Sequence, residues 1–137
     1  MTDIGQIERK SQNRVVKFFQ EELNYDYLGN WEHKENNSNL LENHLLNHLR
    51  KQRYSDELSK KAIEKLRIAV QSETAELYDI NKKIYEILRY GKSVKVAKGE
   101  NERTVQFIDW ENPLNNHFAI AEEVAIKGQN DKRPDIV

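Results

Sequence analysis

The sequence predicts an α+β fold in which about four N-terminal helices precede an antiparallel β-meander. Two observations support this prediction. Within residues 7–90 the apolar side chains recur every three or four positions, which is the spacing of an amphipathic helix. From residue 92 onward they recur at every second position, as in half-buried strands. The 137 residues fit one domain, with a helical part at 7–90 and a β-rich part at 92–137.

Local signals place the boundaries of the four helices. The first carries IERKSQNRVVKFFQEEL, and NYDYLGNW interrupts it with Gly29. Ser38 is a candidate N-cap for the second helix, NLLENHLLNHLRKQ. Ser55 or Asp56 caps the third, ELSKKAIEKLRIAV, and the short connection predicts a helical hairpin. The fourth, TAELYDINKKIYEILRY, ends at Gly91, where a left-handed residue is favoured.

The strand-like segments follow in close succession. KSVKVAK, RTVQFIDW and HFAIAEEVAIK each alternate apolar and polar side chains. The turn sequences KGEN and ENPLNN separate them, and such short connections favour antiparallel pairing of neighbours. After a turn at GQNDKR, the final PDIV is predicted to begin a further strand. We expect residues 128–137 to be weakly held unless that strand pairs with FAIAEEVAI or with another molecule.

Composition excludes several classes of function. The formal net charge of -1 provides no global field for nucleic acid or an anionic membrane. The absence of cysteine excludes disulfides, thiolate metal sites and cysteine catalysis, and it suits a reducing cytoplasm. The N-terminus has no apolar signal region, and no apolar stretch approaches the roughly 20 residues that span a bilayer. We therefore expect a cytoplasmic location and no membrane association.

Asp135, which follows Pro134 at the start of the last predicted strand, is a candidate metal ligand. Mg²⁺ prefers carboxylate oxygens held on a rigid element. The bound ion can activate water and neutralise charge on a phosphate. Pro-Asp is also common turn chemistry, which the dipeptide alone favours. Beside it lie Lys127, Lys132 and Arg133, which could contact DNA phosphates.

Other polar groups have competing interpretations. Glu122 interrupts the apolar face of its predicted strand, and a solvent-exposed edge position is favoured over a buried functional one. His44 and His48 have a spacing that can hold a metal, but a polar helix flank is favoured. A basic set, which could also contact phosphates, comprises Lys82, Lys83, Arg89, Lys92, Lys95, Lys98 and Arg103.

Taken as whole strings, the chain resembles the N-terminal region of the restriction (R) subunit of type I restriction-modification enzymes, the HsdR family. The matching strings, in family order, are ERKSQNRVVKFFQEELNYDYLGNW, YDINKKIYEILRYGKSVKV, TVQFIDWENPLNNHFAIAEEVAIKG and KRPDIV. The resemblance implies a nuclease domain of the PD-(D/E)xK class that requires Mg²⁺ and acts on double-stranded DNA. It also implies methyltransferase (M) and specificity (S) subunits as partners, with ATP used only by motor domains that this chain lacks.

The resemblance implies specific site residues. Asp135 matches the first metal-binding aspartate of the motif, and Pro134 matches its proline. Glu8 is the best match for a first-helix glutamate that contributes to such sites, with Glu21 and Glu22 as competitors. No Glu-x-Lys follows Asp135, so we expect an incomplete restriction-endonuclease-like core that does not cut DNA by itself. The rival interpretation is a non-catalytic DNA-binding or subunit-docking module.

Overall fold

The structure is a computed structural model, and it describes residues 3–126 and 132–137. Two compact units divide the chain: Met1–Asn39 with Phe118–Val137, and Leu40–His117. The elements of the described residues are, in chain order, α1 (Asp3–Glu21), β1 (Asp26–Asn30), α2 (Glu42–Lys51), α3 (Asp56–Val70), α4 (Leu77–Tyr90), β2 (Lys92–Val94), β3 (Arg103–Val105), a 3-10 turn (Pro113–Asn115) and β4 (Ala119–Glu122). No helix in these ranges is long and apolar enough to cross a membrane.

The first unit is built from α1, β1, β4 and the terminal residues 132–137. Strands β1 and β4 pair in parallel, with Asp26 opposite Ala119 and Tyr27 opposite Ile120. A small apolar cluster lies beside this pair, and its members are Trp31, Ala121 and Val124, with Leu28 and Ile126 packed against them.

The terminal segment runs antiparallel to β4. Glu122 pairs with Ile136, and Ile126 pairs with Lys132. Ala121 and Val137 exchange both backbone hydrogen bonds, at 2.8 and 2.9 Å. Of the two arrangements expected to hold this segment, the structure has the pairing with FAIAEEVAI, made through isolated bridges and not as a regular strand at PDIV. Most of the predicted GQNDKR turn lies outside the described residues.

The second unit places three helices around one apolar cluster. Its buried members are Leu49, Leu58, Ala62, Ile63, Leu66, Ala69, Ile87, Val94, Val105 and Phe107. Ser55 caps α3 as predicted, because its hydroxyl accepts a hydrogen bond from the Leu58 N–H at 3.2 Å. The predicted Ser38 cap is wrong, since α2 begins at Glu42 after Leu41 and has no side-chain cap.

Gly91 ends α4 with a φ of 81°, as predicted. A β-carbon at this position would lie 2.7 Å from the Val105 carbonyl oxygen, so glycine is also required by the close approach of β3. The chain continues directly into β2, which pairs antiparallel with β3. Two short strands thus cover the helices of this unit.

The α+β class is confirmed, but the continuous antiparallel meander is wrong for the described residues. β4 pairs with β1, and β3 pairs with β2, in two separate sheets of two strands. β1 itself occupies the NYDYLGNW segment, where the sequence predicted only a break in the helical part. Short connections favour neighbours in sequence, but the parallel partner of β1 lies at residues 119–122, far beyond any local signal.

Candidate functional site

The first unit contains a buried carboxylate at the end of β4. Glu122 is 3% exposed, which overturns the favoured expectation that it reaches solvent at a sheet edge. The side chain faces α1 and β1 because residues of both elements bind it. Burial of a carboxylate is tolerated only when donors replace its lost water.

Three donors supply those hydrogen bonds. The Glu122 Oε2 atom accepts from Arg9 Nη1 at 3.0 Å and from Gln12 Nε2 at 2.5 Å. The Oε1 atom accepts from the Tyr27 hydroxyl at 2.5 Å. Arg9 and Gln12 are three residues apart on α1, so both reach the same face of the helix. We call this set of four residues the Glu122 clamp.

The clamp holds Glu122 in its charged form. Burial acts to raise the pKa of Glu122, but the hydrogen bonds from Tyr27, Gln12 and Arg9 outweigh it, and the net pKa lies below the ordinary value. The hydrogen bond to Glu122 raises the pKa of Tyr27, and burial adds to that effect. The two directions agree, since an ionised Glu122 favours a protonated Tyr27.

Gln12 connects the clamp to the terminal segment. Besides its short bond to Glu122, its Nε2 atom lies 3.4 Å from Glu123 Oε1 and 3.5 Å from the Asp135 carbonyl oxygen. The two longer contacts are at the weak end of hydrogen bonding. Gln12 is itself buried, at 8% exposed. The amide therefore faces the point where α1, β4 and the terminal segment meet.

Asp135 lies where the terminal segment meets α1 and β4, and its side chain is exposed. Its carbonyl oxygen accepts a hydrogen bond from the Glu123 N–H at 2.9 Å, and the Pro134 carbonyl accepts one from Val124 at 3.2 Å. The backbone at Pro134 and Asp135 is thus held by the two residues that follow β4. The predicted metal ligand is therefore presented on a hydrogen-bonded segment, with its carboxylate open to solvent.

Glu123 is the residue directly opposite Asp135 across the two strands. It has a φ of 53°, which is uncommon for a residue other than glycine. Its carboxylate forms an ion pair with Arg133, with Nε 3.1 Å from Oε2. Arg133 also lies 3.7 Å from a carboxylate oxygen of Glu32. Two carboxylates thus surround the Arg133 guanidinium.

The other predicted site residues lie at different distances along the chain from the Glu122 clamp and the Asp135 segment. Glu8 is exposed and lies one turn before Gln12, on the face of α1 that carries the clamp. Glu21 is the last residue of α1, and Glu22 follows it, both more than two turns from Gln12. Lys132 is exposed next to Arg133. Lys127 lies outside the described residues.

Oxygen donors suited to Mg²⁺ are present, but the described part of the chain does not assemble a full set. Asp135 offers an exposed carboxylate, whereas the Glu122 oxygens are occupied by the clamp. Within residues 3–126 and 132–137 there is no group of three or more histidine, aspartate or glutamate side chains placed to hold a metal ion. The described residues therefore offer a hard cation one exposed carboxylate at this place, that of Asp135, and not a complete set of ligands.

Sequence reasoning missed Arg9, Gln12 and Tyr27. One signal was available: Gln12 shares a helical face with Val16, which is buried, so a polar side chain interrupts an apolar stripe. Glu122 is a second polar interruption, on the apolar face of its own predicted strand. Two such interruptions in separate elements indicate a buried polar contact.

One of the two helical histidines departs from expectation, since His44 is exposed on α2 as predicted but His48 is not. His48 is 8% exposed, not part of a polar helix flank. Burial lowers its pKa, opposed in part by its hydrogen bond to the Phe107 backbone. His44 lies beside His117, with ring centroids 5.8 Å apart. These side chains belong to the second unit and are distinct from the clamp.

Residues 6–137 match the family model described as "Type I restriction enzyme R protein N terminus". Neither a curated protein nor a solved structure matches the chain significantly. The family match covers both described units, including the Glu122 clamp and the Asp135 segment.

Proposed function

Because the chain belongs to the family of type I restriction enzyme R protein N-terminal regions, we propose that it forms part of the DNA-cleaving site of such a subunit. The substrate is double-stranded DNA and the cofactor is Mg²⁺, with Asp135 as the first metal ligand of a PD-(D/E)xK nuclease. M and S subunits are the partners, and ATP acts only through motor domains. In this proposal the first unit is part of a restriction-endonuclease-like core.

The observation that carries the proposal is the way the first unit holds Asp135. Val124 and Glu123, which follow β4, hold the backbone at Pro134 and Asp135 through hydrogen bonds of 3.2 and 2.9 Å. The Asp135 carboxylate remains exposed. A rigid backbone with a free oxygen donor is what a catalytic Mg²⁺ site requires, because the ion tolerates little deviation from its preferred geometry.

The Glu122 clamp stabilises the elements next to Asp135. Arg9 and Gln12 belong to α1, Tyr27 belongs to β1, and Glu122 belongs to β4. One carboxylate thus joins three elements whose relative positions set the location of Asp135. We assign Glu122 a positioning role, since its oxygens are occupied by protein donors.

The remaining residues have narrower roles in the proposal. When bound, Mg²⁺ activates water and stabilises charge on the phosphate. Glu8 is the candidate for a further acidic group, because it extends the clamp face of α1 by one turn. Lys132 is the stronger of the two described DNA-contact candidates, because two carboxylates surround Arg133. Lys127 is retained on sequence grounds alone.

Metal binding by the 137-residue chain tests the role of Asp135. Mn²⁺ is titrated into the unsubstituted chain, and its electron paramagnetic resonance signal reports the free ion. We expect weak binding, with a dissociation constant of roughly millimolar order or above, because one or two carboxylates without substrate phosphate hold such an ion poorly. Asp135→Asn should remove it, and the control Asp109→Asn in the second unit should not.

Cleavage is tested in parallel. Supercoiled plasmid is incubated with the chain and Mg²⁺, and we expect no nicking. In a complete R subunit of which this chain is a part, Asp135→Ala should abolish cleavage while ATP hydrolysis continues. Cleavage by that Asp135→Ala subunit at the unsubstituted rate would refute the assignment of Asp135.

A second candidate function is a non-catalytic DNA-binding or subunit-docking module. It is favoured by the incomplete ligand set of the described residues and by the engagement of Glu122 in a structural clamp. This candidate predicts that Asp135→Ala leaves both DNA cleavage by the complete subunit and Mn²⁺ binding unchanged. The experiments above therefore separate the two functions.

A further inference from the structure

The second unit contains a cavity of about 470 Å³ with aromatic walls. This volume falls in the range typical of small-molecule sites. Its lining includes Tyr54, Arg89, Tyr90, Gln106, Trp110 and Glu111. Tyr90 is 65% exposed and Trp110 is 48% exposed, so a ligand can reach both side chains.

Hydrogen bonds within the protein hold the aromatic side chains of the cavity in place. The Trp110 indole Nε1 donates to the Leu88 carbonyl at 3.0 Å, which holds the ring and uses its only donor. The Tyr54 hydroxyl accepts from the Gln106 backbone N–H at 3.1 Å. The cavity is therefore preorganised to stack a flat apolar surface.

The Arg89 guanidinium lies over two of the rings. Its guanidinium carbon is 5.2 Å from the Trp110 ring centroid and 5.6 Å from that of Tyr90. Within the described part of the chain, its guanidinium has ring contacts and no hydrogen-bond acceptor. A stacked guanidinium of this kind keeps its N–H groups for the acceptor edge of a ligand.

Acceptor groups line the cavity as well. The Gln106 amide nitrogen donates to the Tyr90 carbonyl at 3.1 Å, which leaves the amide oxygen for a ligand. The Glu111 carboxylate adds two oxygens. Asp109 is already engaged, since it accepts from the Asn112 N–H at 2.9 Å and the Asn115 amide at 3.1 Å. The polar groups available to a ligand thus include both donors and acceptors.

A smaller cavity of about 380 Å³ adjoins the first and shares Gln52 with it. Lys51, Arg53 and Asn115 complete its lining, so its described residues include two cations and no acid. The Asn115 amide is already bound by the Asp109 carboxylate at 3.1 Å, so Lys51 and Arg53 are the groups that a phosphate would contact. A ligand that spans both cavities would have a flat polar ring and an anionic group.

We propose that these two cavities bind one nucleotide with an unstacked purine base, guanine being the best match. The base stacks on Trp110 and Tyr90, and the phosphate contacts Lys51 and Arg53. Arginine pairs with the O6 and N7 acceptors of guanine, and the Glu111 carboxylate accepts from its N–H groups. This site is separate from Asp135, and it does not depend on the proposed nuclease function.

Tryptophan fluorescence of the unsubstituted chain tests the proposal. The chain has two tryptophans, and only Trp110 is substantially exposed, because Trp31 is 8% exposed. GMP, AMP, CMP, a single-stranded guanine-containing oligonucleotide and its blunt duplex are the probes. We expect saturable quenching with GMP and the single strand, weaker quenching with AMP and CMP, and loss of the quenching in Trp110→Phe.

The two sources of the nucleotide are distinguished by relative affinity. Equal affinity for GMP and the single strand identifies a free nucleotide, whereas tighter binding of the strand by about tenfold or more identifies a nucleotide within a strand. Both outcomes support the site. Absence of quenching by every mononucleotide and single strand, or binding of duplex alone, overturns it.

Matched variants show which side chains contribute to nucleotide affinity. Tyr90→Ala should weaken binding roughly 5- to 150-fold, the effect of one lost base–aromatic stack. Tyr85→Ala is the control, because Tyr85 is similarly exposed on α4, at 62%, but does not line the cavity. Circular dichroism confirms that both variants fold, and Arg53→Ala provides an independent test through the phosphate. Equal effects of Tyr90→Ala and Tyr85→Ala, or no effect of both Tyr90→Ala and Arg53→Ala, refute the assignment.

Discussion

Substitution of Glu122 gives the sharpest test of the first unit. Glu122→Ala removes the carboxylate that joins α1, β1 and β4, and it leaves the buried Gln12 amide and the partly exposed Tyr27 hydroxyl without that acceptor. Three hydrogen bonds to a charged group would each contribute about 1.5–3 kcal/mol if fully shielded from water. The Arg9 side chain is 47% exposed and Tyr27 is 40% exposed, so solvent screening reduces the contribution of both hydrogen bonds. We expect a loss of about 3–5 kcal/mol in the free energy of unfolding.

Conservative variants separate the contributions of charge and of single hydrogen bonds to the free energy of unfolding. Glu122→Gln keeps the shape and one acceptor but removes the charge, and it should cost about 1–2 kcal/mol. Tyr27→Phe should cost a similar amount, and the double variant should show non-additive energies because the two side chains share one bond. Glu21→Gln is the surface control: its ion pair with Lys17 spans 4.0 Å on an exposed face, so less than about 0.5 kcal/mol is expected.

The assay is urea unfolding followed by Trp31 fluorescence in a Trp110→Phe background. Trp31 is buried, and its backbone N–H donates to the Glu122 carbonyl at 2.8 Å, so it reports the unit that contains the clamp. The lowered pKa of Glu122 allows a second test by pH. The contribution of the Glu122 carboxylate to the unfolding free energy is complete above its ordinary pKa of 4.5, and it is lost as the pH falls through the lower pKa of the folded state. A cost of Glu122→Ala no larger than that of Glu21→Gln would refute the clamp.

Further predictions concern the second unit, followed by Trp110 fluorescence. Gly91→Ala should cost about 1–3 kcal/mol more than Gly99→Ala, because both residues have positive φ but only a β-carbon at Gly91 meets backbone, 2.7 Å from Val105. His48→Gln should remove the part of the pH dependence of the unfolding free energy that His48 causes. Because the pKa of His48 is lowered in the folded state, its contribution to stability is complete above pH 6.5 and declines below it. An unchanged pH profile in His48→Gln would contradict this. Leu66→Ala should cost about 2–5 kcal/mol in urea unfolding, because Leu66 is 1% exposed; a cost below about 1 kcal/mol would contradict its core position.

Local features of the second unit were largely predictable. Ser55 and Gly91 were identified because capping and helix termination depend on one residue and its immediate neighbours. The Ser38 prediction failed at the same level, since α2 starts three residues later than its apolar pattern suggested. Helix ends without a side-chain cap leave no mark in the sequence.

The candidate site was predictable only in part. Asp135 was identified from its place in a recognisable string, whereas the sequence left open whether its segment pairs with FAIAEEVAI or with another molecule. Glu122 was noticed as an anomaly and assigned to solvent, because alternation reports which face a side chain occupies and not what covers that face. Arg9 and Gln12, the groups that cover it, lie more than 100 residues earlier.

The sequence by itself determined the α+β class, the change from helical to strand periodicity near residue 91, the restriction-subunit family and the identity of Asp135 as the acid to test. Only the tertiary structure decided that β4 pairs in parallel with β1, that Glu122 is buried in a clamp, and that Arg133 is paired with acids. Periodicity and capping are set by residues within a few positions of each other. Strand partners and ion pairs are chosen by contacts across the whole chain, where many arrangements satisfy the same local pattern.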